Sequence, residues 1–211
     1  MSVLRLLREG LKVRATGLAH DHPDLVVELI DPSLVSDAEH YLRHVGKYID
    51  EQAVTLKSGE TLAYGYWLTR FEEVETGGLE VWEYDREATD FVRGATLTLT
   101  YWRGQHEVCS RFAAGAFEPP RPDRLVVVSE GVFEGDAVQG VRYTSPEHMS
   151  GWWITTDRYD GNVKSLKHEH MYHLTARRPD LAPYIALPCG FRFDFATHED
   201  VWFDENVLAN A

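Results

Sequence analysis

Hydrophobic and polar residues alternate along much of this chain with the two-residue period of half-buried strands, and a clear helical period interrupts them in the first quarter. Leu4, Leu7 and Leu11 recur at helical spacing with Arg5, Arg8 and Lys12 opposite, which predicts a short amphipathic helix or a loose N-terminal arm over residues 4–13. Residues 24–30 are apolar and β-branched, a strand broken by Pro32. From Ser33 a helix is expected, capped by Ser33 or Ser36 and burying Ala38, Tyr41, Leu42, Val45 and Tyr48. Gly46 within it costs about 1 kcal/mol relative to alanine. Residues 62–71 alternate Leu62, Tyr64, Tyr66 and Leu68 on one face, and 79–84 follow after Thr76, Gly77 and Gly78, which signals a hairpin. Residues 95–102 alternate Leu97, Leu99 and Tyr101 with Thr96, Thr98 and Thr100, the pattern of a strand with a wet threonine face. Residues 105–113 then suit a helix with Val108, Cys109 and Phe112 inward.

Residues 117–123, Phe-Glu-Pro-Pro-Arg-Pro-Asp, read as an extended linker. Strands are expected at 125–129 and 138–143. Another is expected at Trp152-Trp153-Ile154, where Gly151 provides the small entry residue. Asp160 and Gly161 mark a turn. Met171, Leu174 and Ala176 fit a short helix closed by Pro179, and Leu181, Tyr184 and Ile185 a second one opened by Pro183. Phe191, Phe193 and Phe195 alternate with Arg192 and Asp194 as a strand that residues 201–203 close into a hairpin. The sum is an α+β fold of mostly antiparallel sheets with a few packed helices. It divides at the proline run into a region 1–118 and a region 122–211.

Composition narrows the partners. The formal net charge is −13, from 34 acids against 21 bases, which excludes direct nucleic-acid binding as the main expectation and favours a basic protein partner. Cys109 and Cys189 are too few and too far apart to suggest a disulfide framework or a four-ligand zinc site. The opening residues lack the apolar core of a signal peptide, and no stretch is long enough to span a bilayer, so a cytoplasmic protein is expected.

Candidate chemistry is sparse. His168, His170 and His173 are the sharpest metal candidates, yet a strand aligns the first two and a helix the last two, so no single regular conformation presents all three. They support an alternative reading as a metal-dependent enzyme or metal-binding protein; solvated histidines are the main expectation there, as for His40 and His44. No nucleophile motif, phosphate-cradling loop or dinucleotide fingerprint is present, and no catalytic residue, cofactor or metal is expected.

Charge patterning says more. Between Glu72 and Asp90 stand eight acids against one base, Arg86. Aromatic anchors lie among them, so Glu72, Glu73, Glu75, Glu80, Trp82, Glu83, Tyr84 and Asp85 are the candidate partner-binding residues. The plain alternative is a solvated acidic hairpin protecting a sheet edge. A second candidate surface is the terminal hairpin, where Glu199, Asp200, Asp204 and Glu205 surround Trp202.

A resemblance emerges from one ordered set of pieces: Leu125-Val126-Val127-Val128, Gly140-Val141-Arg142-Tyr143, Ser150-Gly151-Trp152, Tyr172-His173-Leu174, Pro179-Asp180-Leu181-Ala182-Pro183, and Leu187-Pro188 with Gly190 and Phe191. Over about residues 122–205 the chain resembles the Imm33 immunity domain of bacterial polymorphic toxin systems. The resemblance implies a non-catalytic protein that binds and neutralises a cognate toxin; the alternatives are the metal protein above or a regulatory binding domain unrelated to toxins. Members usually follow the Gly-Trp strand with a Gly and a Glu, whereas this chain reads Thr155-Thr156-Asp157-Arg158-Tyr159, so no role of that glutamate carries over.

Overall fold

The computed structural model describes residues 4–75 and 77–209, which form two compact units, one running to Arg103 and the other from Gly104. Among the described residues there are four α-helices and thirteen strands in two mixed, mostly antiparallel sheets, an α+β fold as the patterning predicts. No helix among them is long and apolar enough to cross a membrane.

The first unit contains β1 (Arg5–Glu9), β2 (Lys12–Thr16), β3 (Leu25–Glu28), α1 (Val35–Gln52), β4 (Thr61–Tyr64), β5 (Trp67–Val74), β6 (Gly78–Tyr84), β7 (Phe91–Arg93) and the start of α2 (Thr96–Phe112). The sheet runs β1-β2-β3-β6-β5-β4, with β7 also paired to β6. Only β3 and β6 pair in parallel. Helix α1 packs on β2 and β3. It buries Ala38, Tyr41, Leu42, Val45 and Ile49.

Gly46 has a packing reason: a Cβ there would lie 3.2 Å from the side chains of both Leu4 and Leu18, so the glycine lets them approach the helix. Neither Ser33 nor Ser36 caps α1; Asp31 instead accepts the Ser33 N–H at 2.8 Å and caps the 3-10 turn that precedes it.

Three expectations fail here for stated reasons. Residues 4–13 are neither helix nor loose arm but the β1–β2 hairpin, because Gly10 turns the chain at φ 64° and Val13 and Ala15 alternate into the core. Residues 62–71 are not one strand: Gly65, at φ 60°, and Tyr66 make a two-residue turn that pairs Tyr64 with Trp67. Residues 95–102 are the first turns of α2, not a strand with a threonine face. Ala95, Thr98, Leu99, Gln105 and Cys109 are buried at helical spacing, which the local alternation of threonine and leucine masks. The expected turn at Thr76, Gly77 and Gly78 falls partly outside the described residues, at Thr76.

The second unit continues α2 and adds β8 (Leu125–Val128), β9 (Gln139–Arg142), β10 (Met149–Thr155), β11 (Lys167–His170), α3 (Met171–Arg177), β12 (Phe191–Asp194), β13 (Asp200–Phe203) and α4 (Glu205–Ala209). Its sheet order is β11-β8-β10-β9-β12-β13. The central pair β8–β10 is parallel and the remaining pairs are antiparallel. Trp152 is fully buried, donates its indole N–H to the Ile185 carbonyl at 2.9 Å and lies 5.3 Å from the Phe193 ring. Gly151 is required beside it. Its φ is 82°, and a Cβ would fall 2.2 Å from the Tyr143 carbonyl oxygen.

After α3 the expected second helix is only the 3-10 turn Pro179–Leu181 followed by turns. The chain opens there because the carbonyls of Ile185 and Leu187 accept from the buried Arg142 guanidinium instead of from a helix. Arg142 also donates to the Glu118 carbonyl at 2.6 Å, and burial lowers its pKa. The proline run 117–123 is held within this unit. Its Glu118 N–H reaches the Ala186 carbonyl at 2.9 Å, and Pro120 is buried.

Candidate partner-binding surfaces

Strands β5, β6 and β7 give the acidic, aromatic stretch two distinct faces. The inner face buries Phe71, Leu79, Val81 and Glu83. The outer face is set by cross-strand register: Arg70 opposite Trp82, Glu72 opposite Glu80, Trp82 opposite Arg93 and Tyr84 opposite Phe91. Tyr84 stacks on Phe91 at 4.3 Å between centroids, and the Arg70 guanidinium lies 4.3 Å from the same Phe91 ring and 5.9 Å from Trp82.

Pairing absorbs much of the negative charge that the sequence suggests. Glu72 pairs with Arg70 at 2.5 Å, and Glu80, only 4% exposed, pairs with Arg93 at 2.6 Å. Glu83 is equally buried on the other face. Its carboxylate accepts the N–H of Leu97 at 2.9 Å and of Thr98 at 2.6 Å, holding the first turn of α2, and burial raises its pKa despite those bonds. Asp85 accepts the backbone N–H and the hydroxyl of Thr89, both at 2.8 Å, and so closes a turn. Trp82 and Tyr84 are half-buried. Glu73 and Glu75 are exposed and, among the described residues, carry no ion pair.

The terminal hairpin offers a second surface. Trp202 and Phe203 on β13 are 38% and 47% exposed. Arg192 donates to Asp204 at 2.9 Å while its guanidinium lies 5.7 Å from the Trp202 ring. Glu199 accepts the Tyr184 hydroxyl at 2.7 Å and Arg111 at 2.8 Å. Those bonds hold the Glu199 carboxyl below its usual range, as Arg192 and Asn206 do for Asp204. Asp200 and Glu205 remain exposed.

The histidine cluster divides between two elements. His168 and His170 lie on β11, with His173 on α3. His170 stacks on Tyr172 at 5.1 Å, and His173 Nδ1 lies 3.3 Å from Glu169. Among the described residues no three His, Cys, Asp or Glu side chains are placed to hold a metal ion together. His40 and His44, both exposed, lie 5.8 Å from Trp102 and 5.3 Å from Tyr64. A cleft at the start of β8 gathers Arg124 and His148 beside His170. The sequence reading missed it, since neither residue belongs to a local motif.

Fold and surface thus define an α+β protein that presents aromatic side chains framed by charge on open sheet faces. Residues 104–204, roughly half of the chain, match the family model described as an Imm33-like domain, and the chain belongs to that family. No curated protein and no solved structure matches it. The match starts within α2 and ends just after β13, so it takes in the terminal hairpin but not the β5–β6 hairpin.

Proposed function

We propose that this chain is a non-catalytic bacterial immunity protein that binds and neutralises a cognate toxin with a basic surface. The Imm33-like domain carries the reading, since immunity families of this kind are generally non-catalytic. The net charge of −13 supports a basic partner, because long-range attraction raises association rates. Two free thiols suit the cytoplasm as its compartment.

We assign the contact to the outer face of β5–β6, with Trp82 and Tyr84 as anchors; the unpaired Glu73 and Glu75, at the hairpin end and on the opposite side of the strand, act only as long-range steering charges. Binding kinetics with the product of the neighbouring gene as the candidate toxin test the assignment. Glu73→Lys with Glu75→Lys is expected to slow association and flatten its salt dependence, while Trp82→Ala speeds dissociation. Unchanged kinetics in folded variants would transfer the contact to the terminal hairpin. That second reading is favoured by one observation: Trp202 and Phe203, on opposite faces of β13, are both exposed inside the family-matched residues. Trp202→Ala would then carry the dissociation effect.

A further inference from the structure

The second unit contains a cleft of about 590 Å³ lined by Arg121, Asp123, Arg124, Leu125, Glu147, His148 and His170. Its volume falls in the range of small-ligand sites, roughly 300–1,000 Å³. Strand register builds it. Leu125, the first residue of β8, pairs with Met149 on β10 at one side and with His170 on β11 at the other. The residues just before these partners, Arg124 and His148, are therefore brought to the same end of the sheet as His170. The backbone is pinned there. Leu125 N–H donates to the His148 carbonyl at 3.0 Å, and Met171 N–H to the Arg124 carbonyl at 2.8 Å. Stacking on Tyr172 with only 10° between ring planes fixes the His170 ring.

Charge within the cleft is uneven. Arg121 is spent on Asp123, bound in fork geometry at 3.0 and 2.7 Å, and Glu147 is exposed at the rim. Arg124, Leu125 and His170 are the less exposed residues and form the floor. The Arg124 guanidinium has no carboxylate or hydrogen-bond acceptor among the described residues, and its Nε is closed off from water with no partner at all. The terminal nitrogens of the guanidinium are not closed off and have no partner among the described residues, so they are the groups left for an acceptor that arrives with a ligand. Arg124 is also close enough to oppose the charge on the buried Arg142.

We propose that this cleft binds the phosphate group of a small phosphomonoester, with Arg124 as the principal ligand and His148 and His170 as flanking donors. A tetrahedral group offers oxygens toward all three side chains, which stand on three separate segments, whereas a planar carboxylate can satisfy the guanidinium fork alone. Leu125 supplies an apolar floor for the carbon skeleton. The inference is independent of toxin binding and uses none of the residues assigned to it.

The test is calorimetric and NMR titration of the intact protein with inorganic phosphate, a nucleoside 5′-monophosphate and acetate at fixed low ionic strength. Saturable binding of the monophosphate, with shifts confined to residues around 121–125, 147–149 and 168–172, is expected. Inorganic phosphate alone should bind more weakly at the same place, and acetate should not saturate. Arg124→Gln should weaken binding about tenfold or more, as loss of a charge-assisted pair does, with the circular dichroism spectrum unchanged. Should that variant fail to fold, His148→Gln and His170→Gln together give the same readout. Equal affinity for acetate, shifts elsewhere, or undiminished binding in the folded variants would overturn the proposal, as would the absence of any saturable binding.

Discussion

His22 illustrates how one side chain becomes committed to one protonation state. It is 5% exposed, its Nε2 accepts the Leu56 N–H at 3.0 Å, and its Nδ1 lies 2.7 Å from the Pro23 carbonyl, so the ring is neutral with its proton on Nδ1. Protonating Nε2 would remove the acceptor that Leu56 uses. Burial lowers the pKa of His22 below its ordinary 6.5. The unfolded chain therefore takes up this proton at a higher pH than the folded one, and the stabilisation is complete above that value and is lost as pH falls through the folded one. Urea unfolding is expected to show a lower midpoint at pH 5.5 than at pH 7.5, and His22→Gln should reduce the difference. It should not abolish it, since burial also lowers the pKa of His44. An identical pH dependence in the variant would show that His22 is not responsible. At this same scale Gly151 was legible from sequence, because a strand of two tryptophans needs a small residue at its entry. The partner of His22 was not, since Leu56 is distant in sequence and contributes only a backbone N–H.

Among the elements, α2 shows a tertiary contact overriding local pattern. Its opening residues, Thr-Leu-Thr-Leu-Thr, favour a strand by propensity, and β-branched threonines lose freedom in a helix. The buried Glu83 on β6 offers an acceptor to the two N–H groups that such a helix leaves unsatisfied, while Thr98 and Leu99 bury on the same side. Glu83→Ala is expected to cost about 2–3 kcal/mol in urea or thermal unfolding, because two buried donors lose their acceptor. Glu83→Gln should recover part of that through its amide oxygen. A neutral Glu83→Ala would mean that the helix start is held by packing alone. The N-terminal hairpin was misread for the opposite reason: leucines at helical spacing were visible, but the β3 edge that captures Val13 and Ala15 lies beyond any local window.

For the whole molecule, the position of the domain boundary is open to experiment. Compact packing separates residues up to Arg103 from those after it, within the continuous helix α2, and the family match begins at residue 104. The proline run 117–123 carries hydrogen bonds at Glu118 and a buried Pro120. Limited proteolysis of the native protein is expected to spare that run. Two stable fragments cut there would instead support domains 1–118 and 122–211. The sequence by itself determined the α+β class, helix α1, the strands around Trp152 and Phe193, and the likeness to the Imm33 domain. Each of these rests on side-chain periodicity or on the order of short motifs, both of which are written along the chain. Only the tertiary structure decided that Glu80 and Glu83 are buried and bonded within their own unit, that α2 is a helix, and that Arg124, His148 and His170 meet at one end of β8. Burial and ion pairing depend on residues brought together from distant segments, and strand register, which does the bringing, is not encoded by any one segment alone.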